Sequence, residues 1–201
     1  MTPTTPQRWA ETWRLIRSDF TRLADWLGGG TRAQKAYWSL MPNFQAIFWY
    51  RIARYLYVNG WRNTARLLFL VKLYMTRVEI PPTADIGEGF LIAHATGVVV
   101  FGKLGREVSI MGGGGTGGGV QPLDIGGGPG YPVVGDKVFF GWGAKVFGPV
   151  RVGDGVHLSP DANVFVDVPA GSKVYGPRAV IKPPADTLSA PSPPPRQEDA
   201  A

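Results

Sequence analysis

Every sixth residue over two long stretches of this chain is branched or bulky and apolar. These are Ile80, Ile86, Ile92, Val98, Leu104 and Ile110, then Val134, Phe140, Val146, Val152, Leu158 and Val164. Neither a helix nor an ordinary strand has that period, so the spacing reports an internal repeat. Small or apolar residues recur four places further on, at Ala84, Phe90, Thr96, Gly102 and Val108, then at Val138, Ala144, Val150, Val156, Ala162 and Val168. Two inward positions per six residues, with glycine often directly after the first (Gly87, Gly135, Gly141, Gly153), describe a coil with three short flat sides. Each side buries two side chains and each corner needs a permissive backbone.

The pattern predicts a mainly β chain, a left-handed parallel β-helix of hexapeptide repeats preceded by an α-helical N-terminal region. Three segments are expected: helices over 1–78, the β-helix over 79–181 with a glycine-rich loop at 111–132, and a disordered Pro/Ser/Ala-rich tail over 182–201. Trp9, Trp13, Ile16, Phe20, Leu23 and Leu27 form the stripe of an amphipathic first helix, with Thr5 placed to cap it and Pro6 in its first turn. A second helix is expected from Asn43, as its cap, to Val58, and a third over about 63–77, before Pro81-Pro82 stops it.

Composition narrows the chemistry. The chain has no cysteine, which removes disulfides, thiolate ligands and a cysteine nucleophile. It has two histidines, too few for a zinc site built from three imidazoles, so no metal is expected. The first six residues lack a secretory profile, and the most apolar stretch, 65–75, contains Lys72 and is about half the length that spans a bilayer. A cytoplasmic protein is expected. The net charge of +6 is uneven: residues 1–78 hold twelve Lys/Arg against three Asp/Glu, and residues 79–201 hold nine against twelve. The basic helices are either a solvated face or a contact with an anionic partner such as the inner face of a membrane. No nucleic-acid-reading motif accompanies the charge, so nucleic acid is not an expected partner.

His94 lies two places after inward Ile92 and two before Thr96, so its side chain points away from the coil interior, where an imidazole can act as a general base. His157 also points outward, with no chemistry suggested around it.

The run from Val78 to Val100, with Ile92-Ala93-His94-Ala95-Thr96-Gly97 at its centre, resembles the core of the serine acetyltransferases and of their relatives that O-acetylate sugars of surface polysaccharides. Gly114-Gly115-Thr116-Gly117, Val134-Gly135-Asp136, Gly143-Ala144-Lys145, Asp167-Val168-Pro169 and Gly176-Pro177 extend the likeness, and Pro42-Asn43-Phe44 to Ala53 is similar to the helix that precedes the coils. The resemblance implies a homotrimer with acetyl-CoA in the groove between adjacent β-helices and His94 as the catalytic base. Glu79 falls where the family has the aspartate partner of that histidine. It also implies cofactor contacts from Gly114, Gly115, Thr116, Gly141, Trp142 and Lys145; separately, the accessible backbone N–H groups of the glycine loop are candidates to stabilise the oxyanion.

The acceptor positions depart from the family. Tyr131 replaces a second active-site histidine, Ala93 an acidic residue, and Gly130 the arginine that serves a serine carboxylate. Trp142 replaces a small residue. An amino-acid acceptor presents two charges that a site must match, so the leading expectation is an acetyl-CoA-dependent O-acetyltransferase acting on a sugar hydroxyl. The alternatives are a serine O-acetyltransferase whose acceptor contacts come from elsewhere, such as Arg51, and a non-catalytic β-helical scaffold.

Overall fold

The computed structural model describes residues 6–178, 180 and 181. Four helices, α1 (Trp9–Trp26), α2 (Arg32–Ser39), α3 (Pro42–Val58) and α4 (Arg62–Thr76), precede thirteen short strands. The strands are β1 (Asp85–Ile86), β2 (Leu91–Ile92), β3 (Val99–Val100), β4 (Lys103–Leu104), β5 (Ser109–Ile110), β6 (Gly115–Gly117) and β7 (Val133–Val134). They continue with β8 (Phe139–Phe140), β9 (Lys145–Phe147), β10 (Arg151–Val152), β11 (His157–Leu158), β12 (Asn163–Val164) and β13 (Lys173–Val174).

They wind into three parallel sheets, β1-β4-β7-β10, β2-β5-β8-β11-β13 and β3-β6-β9-β12. These are the first, second and third sides of a prism. Asp85 pairs with Lys103 and Val133 with Arg151, so one full turn takes three six-residue steps. All twelve sixfold positions are buried. That regularity follows from the winding: each inward side chain stacks on its equivalent one turn away, so every turn repeats the same burial.

Three differences from expectation are structural. Thr96 is exposed, not inward. The coil does not break at residue 111: Gly115 to Gly117 are strand β6, paired with both β3 and β9, and only 118–131 leaves the prism. That excursion is folded on itself, with Gly119 donating to the Gly130 carbonyl and the Asp124 carboxylate accepting from the N–H groups of Gly126 and Gly128. Finally, α1 begins after Arg8, so Pro6 precedes its first turn; Thr5 and the 182–201 tail lie outside the described residues.

The helices close the prism at its N-terminal end. Ala46, Ile47 and Tyr50 of α3 join Val78 and Ile80 in the main core. Ile16, Leu23 and Phe44 cover Leu91, the outward residue of β2. A buried ion pair locks this arrangement. Arg51 donates to the Asp19 carboxylate at 2.8 and 3.1 Å and to the carbonyls of Ile86 and Gly87, both at 2.6 Å. Asp19 also accepts from the N–H of Phe90 at 2.8 Å. Burial alone would weaken the Arg51 charge, and Asp19 more than restores it. Pairing and full hydrogen bonding are what make two buried charges tolerable.

Candidate active site

The site lies at the edge between the second and third sides. The step from Leu91 to Val99 is two residues longer than the repeat, and the step from Val99 to Lys103 two shorter. Val98 and Val100 therefore both point inward, and the corner holding His94 is widened. Asn43 fastens this segment. Its buried amide donates to the carbonyls of Ile92 at 3.0 Å and Ala93 at 3.3 Å. The capping role expected for Asn43 is not observed, since Met41 is the N-cap and Pro42 the first helical residue.

His94 is exposed, with its ring between two tryptophans. Trp142 lies 4.6 Å away at 33°, and Trp26 of α1 meets it edge-on at 6.4 Å and 90°. His94, Gly112 and Trp142 follow β2, β5 and β8, which are neighbours in one sheet. Gly112 is the gap through which the Trp142 indole reaches back to His94, since a Cβ there would run into the indole ring. Lys145 is on the same edge, its ammonium donating to the Gly143 carbonyl at 2.7 Å.

Other expected site residues are placed differently. Thr116 is buried, donating to the Phe101 carbonyl and accepting its N–H at 3.0 Å, so its hydroxyl is not presented to a ligand. The N–H groups of Gly113, Gly114 and Gly115 are donated to the carbonyls of Thr96, Met111 and Ala144, which removes these three as oxyanion donors. Gly141 is buried, its N–H donated to Leu158, and packs beneath Ser159 and Pro160. Ala93 and Gly130 are buried too, so neither faces an acceptor. Arg51 is committed to Asp19 and the coil, which corrects its candidacy as a carboxylate-binding residue. Tyr131 stacks on Phe101 at 5.2 Å and 13°, at the edge between the third and first sides. Within one protomer it is on a different edge from His94. His157 stacks on Phe139 at 4.6 Å, a packing role.

Glu79 is half-buried and bridges to Val99 on the third side. It makes no hydrogen bond to His94 among the described residues. A cation it faces is Lys72, whose ammonium donates to the Ile80 carbonyl and is pulled down to about 7 by burial, with Glu79 partly opposing. A separate cavity of about 650 Å³ lies against the first side, lined in part by Arg14, Arg51, Arg54 and Arg106. Each of these arginines is ion-paired, which leaves little unsatisfied charge for a ligand. Among the described residues no group of three or more His, Cys, Asp or Glu is placed to hold a metal.

No protein-family model matches the chain. A serine acetyltransferase of Helicobacter pylori is 37% identical over 147 residues, covering 70% of this chain and 81% of the relative. The chain belongs to the serine acetyltransferase family. Its members are acyltransferases with acetyl-CoA as co-substrate, built on a left-handed β-helix. The structure of the Neisseria gonorrhoeae serine acetyltransferase in complex with serine superposes with a TM-score of 0.71 at 26% identity, over 82% of this chain and 66% of that one. A serine acetyltransferase solved in complex with CoA gives 0.70 at 26%, over 84% and 68%. The chain thus spans about two thirds of those two structures.

Two features of the corner were not visible in the sequence. Trp26 falls outside the apolar stripe of α1, and nothing local marks Asn43 as the anchor of a segment fifty residues away. The only available signal for the second was a polar residue in the first turn of an apolar helix, and capping was the simpler reading of it.

Proposed function

We propose that the chain is an acetyl-CoA-dependent O-acetyltransferase with His94 as general base and serine as acceptor. The observation that carries the reading is the exposed His94 on a widened corner, in a chain 37% identical to a serine acetyltransferase over most of that relative's length. The imidazole takes the proton of the acceptor hydroxyl as its oxygen attacks the thioester carbonyl. The tetrahedral intermediate collapses, the C–S bond breaks, and the imidazolium returns the proton to the departing CoA thiolate. Trp142 and Trp26 hold the ring in one plane, and the Lys145 ammonium on the same edge is placed to meet an anionic group of CoA. Glu79 acts at one remove, as a charge near the start of the third side.

Tyr131 bears on the assembly. It belongs to the other edge of the third side, so a second copy is needed to bring it beside His94. A homotrimer with sites between protomers satisfies that requirement.

A sugar hydroxyl is the second reading, and a specific observation favours it. The positions that would answer the charges of serine hold buried Ala93, buried Gly130 and the committed Arg51, while two indoles stand beside His94, and aromatic surface suits sugar rings.

Thiol release from acetyl-CoA, followed with serine and with a panel of sugars, separates the two. Turnover with serine supports the first, and turnover with sugars alone replaces it with the second. His94→Ala is expected to lower kcat by about 10²–10⁴ while CoA still binds. CoA binding with no turnover in wild type, unchanged in His94→Ala, would make the chain a scaffold.

A further inference from the structure

α4 is apolar on its outer face as well as on its inner one, where Leu68, Phe69 and Leu73 are half-buried. Its buried residues are Ala65, Lys72 and Thr76. Its exposed ones include Leu67, Leu70, Val71, Tyr74 and Met75, between 46% and 76% accessible. Their spacing places all five on one stripe along the helix, opposite the buried face. Scattered apolar residues on a surface need no explanation, but a continuous stripe calls for an apolar partner.

The surrounding charge identifies that partner. Arg62, Arg66 and Arg77 are exposed: Arg66 lies along one edge of the stripe by helix geometry, Arg77 caps the C-terminal end, and Arg62 sits further round, over the Tyr57 ring at 5.8 Å. None of the three makes an ion pair among the described residues. From Trp26 to Val78 the chain contains no Asp or Glu at all. Trp61, 66% exposed, sits at the start of the helix, and Tyr74 lies on the stripe itself. Both side chains prefer the boundary between water and hydrocarbon. No helix among the described residues is long and apolar enough to cross a membrane, so α4 would lie along a surface.

We propose that the outer face of α4 docks on an anionic lipid bilayer, with Leu67, Leu70, Val71 and Tyr74 entering the headgroup–acyl boundary and Arg66 and Arg77 meeting lipid phosphates. A second copy of the chain fits the same stripe less well. Antiparallel two-fold pairing of α4 would set the arginine edges near each other, and α2, α3 and α4 carry no carboxylate to separate them. The proposal is independent of the acceptor.

The test is co-sedimentation of the full-length protein with vesicles of phosphatidylcholine alone or with about a third phosphatidylglycerol. Wild type is expected to bind the anionic vesicles, to release at high salt, and to ignore the neutral ones. Leu70→Glu/Val71→Glu and Arg66→Gln/Arg77→Gln are each expected to weaken binding on the order of tenfold or more. All four positions are exposed, and an unchanged thermal melt shows that the variants fold. Absence of binding to anionic vesicles at low salt overturns the proposal, as does equal binding by the Glu variant. It is also overturned if that variant lowers the oligomeric state of a protein that never binds vesicles, which would make the stripe a subunit contact.

Discussion

His94 is held from three directions: Asn43 grips the backbone before it, Trp142 lies against its ring, and Trp26 closes the third approach. Asn43 is a positioning residue, acting through the Ile92 and Ala93 carbonyls. Asn43→Ala leaves both carbonyls buried without a side-chain donor, which costs about 1–3 kcal/mol. The expected outcome is a lower melting temperature, and a kcat that falls while KM for acetyl-CoA changes little. Steady-state kinetics below the melting range check this, and a loss confined to stability would reduce Asn43 to a structural role. His94 was legible as an outward residue because register alone sets its direction. Its companions were not, because they arrive from helices and coils distant in sequence.

At the scale of elements, the sixfold beat placed the coils well. Three of the four helices were also expected, with ends that differ from the observed ones by up to three residues, the largest shift being the start of α1. α2 was missed: its eight residues include only a short apolar set, and it starts with a capping box, in which the Thr31 hydroxyl accepts from the Gln34 N–H and the Gln34 amide oxygen from the Thr31 N–H. The glycine run misled in the other direction. Glycine suggests a loop, yet Gly115 is strand, packed so tightly beneath Val99 that a side chain there would collide with its carbonyl. Gly112 has a distinct purpose, since it makes room for Trp142. Gly112→Ala should therefore push the indole off His94 and depress turnover, whereas in a Trp142→Ala background the same change should be close to silent. A double-mutant cycle on kcat/KM measures the coupling, and additive effects would show that the notch does not control the tryptophan.

For the whole molecule, the helical cap is bound to the prism through buried charge as well as apolar packing, and one of those charges makes stability depend on pH. The Lys72 ammonium is pulled from its usual 10.5 to about 7, chiefly by burial. Between those values the unfolded chain holds a proton that the folded chain has lost, so stability rises with pH across the window and is lowest below it. Lys72→Met removes the buried charge. Its melting temperature should exceed that of wild type near pH 6, by an amount equivalent to at most a few kcal/mol. The advantage should vanish towards pH 10, where the lost hydrogen bond to the Ile80 carbonyl remains as a cost. Parallel melting curves at all pH values would contradict a depressed lysine. The same helix also carries an apolar stripe on its outer face, so its inner and outer faces are both under unusual constraint.

The periodic sequence determined the prism by itself. Each flat side needs two inward residues, each turn returns to the same side, and a repeat therefore encodes its own contacts through purely local winding. It also placed His94 outside that prism, at the centre of a stretch that resembles an acyltransferase core. Tertiary structure decided the rest. The fastening of the lengthened corner between β2 and β3 by Asn43 and the withdrawal of Arg51 into a pair with Asp19 each join residues more than thirty places apart. So does the reach of Trp142 across Gly112. Such contacts depend on how helices of one period settle against coils of another, and no local pattern records that fit.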